Sequence, residues 1–110
     1  MKALINKFVA IAQQNKEGFT FDLNLNPVNV GYCVALAETQ NSFGIAGLKK
    51  VLKLALANNY CVGGWCDQET GKYYYDCTIV VDSLDKALFY GQLNNQIALY
   101  DLNANKEIRL

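Results

Sequence analysis

The sequence predicts an α+β fold: a mostly antiparallel sheet with three helices packed on one face, in the order αββαββαββ. Three observations lead to it. Apolar residues recur at helical spacing in three separate segments, and between and after these lie pairs of strand-like segments rich in alternating, aromatic or β-branched residues. The links within each pair are short, which favours hairpins, and each element must bury its apolar side against another. Finally, a chain of 110 residues with 52% hydrophobic and 18% charged residues supports one core, so residues 1–110 form a single domain.

Leu4, Ile5, Phe8, Ile11 and Ala12 line one face of a first helix that Gly18 stops. Phe19, Phe21, Leu23 and Leu25 alternate with Thr20, Asp22 and Asn24 as a half-buried strand, ended by Asn26 and Pro27. Val30 to Ala37 reads as a second strand, hairpinned to the first. The polar stretch Glu38 to Gly44 leads into a helix over Ile45 to Asn58, with Asn41 or Ser42 as its cap and Leu48, Val51, Leu52 and Ala55 as its buried stripe. Tyr60 to Cys66 and Lys72 to Val81 form the clearest hairpin. Asp82 or Ser83 caps a third helix that turns Leu84, Ala87 and Leu88 inward and ends near Asn94 and Asn95. Gln96 to Leu102 and Lys106 to Leu110 make a last hairpin around Asn103 to Asn105. Its final strand falls at an edge, where a second copy can pair to give a homodimer.

Charge and composition narrow the function classes. Ten basic and ten acidic residues leave no net charge to attract a polyanion, so nucleic acid is not an expected partner. Histidine, the commonest general base and metal ligand, is absent. No apolar run approaches a membrane span, Asn6 and Lys7 interrupt the N-terminal segment that superficially looks like an export signal, and a cytoplasmic location with free thiols is expected. Cys33, Cys61, Cys66 and Cys77 lack the spacing of a zinc knuckle and read as small buried residues. Simple pairing would set Cys61 opposite Cys77. Neither a metal nor a cofactor is expected, and no residue is assigned a catalytic role.

The aromatic cluster Trp65, Tyr73, Tyr74 and Tyr75 is the most suggestive feature. Alternate residues face opposite ways, so at least one side of this hairpin carries amphipathic rings outside a fully apolar layer. Gly63 and Gly64 lie inside a strand, without a phosphate-loop pattern, and read as a gap that the neighbouring rings cover. Asp76 shares a strand face with Tyr74, as an exposed group or a buried acceptor. Glu38, Gln40 and Asn41 gather donors and acceptors before a helix, with Glu38 the residue to select a cationic or N–H-donating partner.

The run Glu38-Thr39-Gln40-Asn41-Ser42-Phe43-Gly44, with Gly63-Gly64-Trp65, Glu69-Thr70-Gly71-Lys72-Tyr73-Tyr74-Tyr75-Asp76, and Gln96-Ile97-Ala98 with Tyr100-Asp101-Leu102, resembles a group of small bacterial proteins associated with phages and mobile elements. It spans residues 18–110. The group has no established activity, cofactor or catalytic residue to transfer. The resemblance implies a protein that binds a host or phage factor, inhibitors of defence nucleases being one such class. The expected function is therefore a non-enzymatic protein-interaction module using Glu38, Gln40, Asn41, Trp65, Tyr73, Tyr74, Tyr75 and Asp76. Two alternatives stand beside it: a ligand binder or enzyme built on Glu38 and Asp76, and a single-stranded nucleic-acid binder that stacks bases on Trp65 and Tyr74.

Overall fold

The computed structural model describes residues 1–110. Its helices are α1 (Lys2–Gln14), α2 (Gly44–Asn58) and α3 (Leu84–Leu93). Its strands are β1 (Phe19–Phe21), β2 (Tyr32–Ala35), β3 (Ser42–Phe43), β4 (Cys61–Cys66), β5 (Tyr73–Val81), β6 (Ala98–Asp101) and β7 (Lys106–Arg109). They form one antiparallel sheet in the spatial order β1-β4-β5-β2-β6-β7, with β3 beside β5. The predicted α+β class and helix order hold, with β3 as an extra short strand and β7 at an edge as expected.

All three helices cover one face. Ile5, Phe8 and Ala12 of α1 and Leu48, Val51, Leu52 and Ala55 of α2 enclose Val62, Tyr75 and Cys77 of the sheet, while Ala87 of α3 packs on Val34 and Leu99. Lys49, Lys50 and Lys53 point to solvent on the far side of α2. Ser83 caps α3 by accepting the backbone N–H of Lys86 at 3.2 Å. Leu84, expected inside, is exposed at the first position of α3, although its i, i+3 spacing puts it on the side of Ala87.

β5 is the spine. It pairs with β4 on one side and, on the other, with β3 at Tyr74 and Tyr75 and with β2 from Thr78 to Val81. Between β2 and β3 the chain leaves the sheet in a 3-10 turn, Ala37–Thr39. There Leu36 N–H donates to the Cys77 carbonyl, and the Thr39 hydroxyl accepts from Cys77 N–H, both at 2.9 Å. A side chain thus supplies the acceptor that a continuous strand would have provided. Thr39→Val is expected to leave that buried N–H unpaired and to cost about 1.5 kcal/mol in urea unfolding.

Several local expectations are corrected. β1 ends at Phe21 rather than Leu25, because the Asp22 carboxylate accepts the N–H groups of Asn24 and Asn26 and winds the chain into a turn that puts Leu25 at φ 66°. β1 and β2 do not form a hairpin. β1 joins the far edge beside β4, where the Phe19 ring lies over Gly64, and β2 runs between β5 and β6. Neither Asn41 nor Ser42 caps α2. Ser42 is drawn into β3 opposite Tyr75, its hydroxyl buried without a partner, and Phe43 occupies the cap position. The β4–β5 register places Cys61 opposite Thr78 and Val62 opposite Cys77, one residue from the expected pairing. That slip sends Cys61 and Cys77 to opposite faces, since side chains alternate along a strand.

Candidate functional site

The sheet face away from the helices is concave. Alternation and register bring to it Thr20 of β1, Cys61, Gly63 and Trp65 of β4, Tyr74, Asp76 and Thr78 of β5, Cys33 and Ala35 of β2, and Tyr100 of β6. Its curvature is strong. The Thr20 hydroxyl and the Cys33 thiol approach to 3.9 Å although β4 and β5 lie between their strands. In a flat sheet those strands would stand about 14 Å apart.

This curvature encloses a cavity of about 820 Å³. Thr20, Gly63, Asp76, Thr78 and Cys33 line its base, and Trp65 and Tyr100 contribute rings to its wall. A neighbouring hollow of about 380 Å³ takes Gln40, Asn41, Asp67 and Tyr74, and shares Trp65 and Asp76 with the first. The charges are of one sign. Glu17, Asp76 and Glu107 line the larger cavity and Asp67 and Asp76 the smaller, and no lysine or arginine lines either.

Asp76 stands in the middle of this face. Its cross-strand neighbour is Gly63, which has no side chain to meet it, and it joins neither ion pair of the protein, Lys86 with Asp82 or Arg109 with Glu107. Burial, uncompensated by a hydrogen bond or cation, pushes its carboxyl up to about 6. The two adjacent glycines differ. A Cβ on Gly64 would fall 2.5 Å from the Phe19 ring and 2.9 Å from the Tyr73 ring, whereas one on Gly63 would meet nothing closer than 3.5 Å. Rings cover the glycine gap as predicted, but only at Gly64.

The thiols here are not poised as nucleophiles. Burial raises Cys33, against the lowering effect of its hydrogen-bonding contacts with Thr78, at 2.7 Å, and with Thr20. Burial and then Asp22 raise Cys61. Burial, followed by Glu38 among nearby charges, pushes Cys77 up to about 12. All three are protonated at neutral pH, the inert form. Cys33 and Cys61 flank β5 from opposite sides, and all four cysteines are free. No group of three or more carboxylates and thiols is arranged to hold a metal ion.

At the rim, three rings from three strands stand in register. Phe43 of β3 faces Tyr74 of β5, which faces Trp65 of β4. Trp65 stacks on Tyr74 at 5.1 Å between centroids, Phe43 meets Tyr74 edge-on at 5.8 Å, and the Lys72 ammonium lies 4.5 Å over the Phe43 ring. Phe43 and Trp65 are each 47% exposed.

The structure thus brings together Gln40, Asn41, Trp65, Tyr74 and Asp76 and separates the rest of the predicted set. Tyr75 is 4% exposed in the helix-side core, and Tyr73 is half-buried there with its hydroxyl donating to the Asn15 carbonyl at 2.7 Å. Neither belongs to the contact surface, because odd-numbered residues of β5 face the helices. Glu38 is exposed on the 3-10 turn but lines neither cavity, so the expected pairing of Glu38 with Asp76 does not form. Phe43, Thr20 and Tyr100 were missed. The first lay hidden in a polar run, and the others reach the site only through sheet curvature and strand order. Comparison with protein-family models, with curated proteins and with solved structures finds no match to this chain.

Proposed function

We propose that this protein is a non-enzymatic interaction module whose contact surface is the in-register ladder Phe43–Tyr74–Trp65 with the neighbouring Gln40 and Asn41. The observation that carries the reading is the ladder itself. Three rings aligned across three strands present a rigid amphipathic edge at little conformational cost, the composition that anchors protein interfaces. Protonated thiols and the exclusion of Glu38 from the cavities that Asp76 lines weigh against a catalytic reading, and the acidic lining opposes a phosphate backbone. The resemblance to phage and mobile-element proteins makes a bacterial host or phage protein the partner we propose.

The test is affinity purification of tagged wild-type protein from bacterial lysate, read by mass spectrometry beside Trp65→Ala and Tyr74→Ala. A protein captured by the wild type is expected to be lost from both variants, while their unfolding midpoints stay close to wild type. Equal recovery by the variants would remove the ladder from the contact surface.

A further inference from the structure

The larger cavity supports a second binding site, adjacent to the ladder and sharing Trp65 with it. Its chemistry follows from four features. The lining holds three carboxylates and no cation in a chain whose ten basic and ten acidic residues balance overall, so the basic residues have been placed elsewhere. Asp76 lies at the base, half-buried and without an ion-pair partner, an arrangement a fold does not need and which costs it stability. The space beside it is kept clear by Gly63, where the backbone is ordinary strand and a Cβ would meet only normal van der Waals contacts; nothing in the packing requires glycine there. The walls supply the Trp65 and Tyr100 rings, and the base the hydroxyl of Thr20.

We propose that this cavity binds a guanidinium group, with the Asp76 carboxylate as its counter-ion in the space beside Gly63. The sign is set by the carboxylates. A planar guanidinium matches a carboxylate with two parallel N–H donors, stacks on aromatic faces, and sheds its hydration at lower cost than an ammonium, which suits a half-enclosed cavity with ring-bearing walls. Of the threonines at the base, Thr20 is the one whose hydroxyl is open to a remaining N–H donor, because Thr78 is buried and already donates to the Val34 carbonyl. An arginine side chain of a partner protein and a free arginine-like molecule carry the same group.

The test is a titration followed by ¹⁵N–¹H NMR near neutral pH, using the capped peptide acetyl-Gly-Arg-Gly-amide, free L-arginine, and their neutral citrulline counterparts. Saturable shifts are expected at the amides of Gly63, Asp76 and Thr78 and at the Trp65 indole N–H, with affinity at least about tenfold weaker for the citrulline forms. Asp76→Asn is expected to abolish the arginine response with the rest of the spectrum native, and Gly63→Val, which fills the space, to weaken it. A tighter response to the peptide assigns the group to a protein partner, and a tighter response to the free amino acid assigns it to a small ligand. No saturation by about 20 mM with either arginine probe, equal response to citrulline, or an unchanged response in Asp76→Asn would overturn the site. The ladder reading fails separately, since loss of capture in Tyr74→Ala does not depend on arginine binding.

Discussion

Asp76→Asn is expected to stabilise the free protein by about 2 kcal/mol at pH 7. The carboxyl of Asp76 is raised from 3.8 to about 6 by burial alone, and each unit corresponds to about 1.4 kcal/mol, a sum reduced by the residual solvent reaching the groove. The sign follows from linkage. Below about pH 4 the group is protonated in both states and carries no penalty. As pH rises through 6 the unfolded chain ionises first, the folded state binds the extra proton, and stability falls; above that the penalty is constant. The groups sharing its face cannot offset it: Cys33, Cys61, Thr78, Tyr74, Trp65 and Gly63 carry no positive charge, and Glu17 and Glu107 line the same cavity. Urea unfolding of wild type and variant from pH 3 to 8 checks this. The gap should open between about pH 4 and 6 and close below; a gap independent of pH, or a less stable variant at pH 7, refutes it. An ionised group held at such a cost is what a binding site requires and a purely structural sheet does not.

The two neighbouring glycines are expected to respond in opposite ways. Gly64→Ala forces a methyl into the Phe19 and Tyr73 rings, which are themselves held by Phe8, at 6.2 Å from Phe19, and by the Tyr73 hydroxyl bond to Asn15. Neither ring can swing away without opening the core, and a loss of about 3 kcal/mol is expected. Gly63→Ala adds its methyl at ordinary van der Waals distance from its neighbours and at strand backbone angles, where alanine loses less chain entropy than glycine, and stability should be unchanged or up to about 1 kcal/mol higher. Paired thermal and urea unfolding distinguishes the two. Equal losses would mean that Gly63 is needed by the fold, and would remove one of the four features behind the guanidinium site.

Much of this molecule was legible in its sequence. The buried stripe of α2, the Ser83 cap and the β4–β5 and β6–β7 hairpins all come from patterns in which the deciding interaction is local: a helical period, a hydroxyl three residues from an N–H, a polar turn between alternating runs. The short β1 shows how such patterns mislead. Phe19 to Leu25 alternates correctly, yet one aspartate side chain outbid the sheet for two backbone N–H groups. A one-residue error of register was enough to break the expected pairing of Cys61 with Cys77.

The sequence by itself determined the class of fold, the number of core-forming elements and the presence of aromatic and acidic groups on one hairpin, because hydrophobic period and turn chemistry act over a few residues. Which rings face outward, that Phe43 aligns with Tyr74 and Trp65, and that Asp76 stands unpaired opposite Gly63 were decided only in three dimensions. Those features depend on register, strand order and sheet curvature, and these are settled by contacts between residues far apart in the chain, such as Phe19 on Gly64 and Thr20 against Cys33.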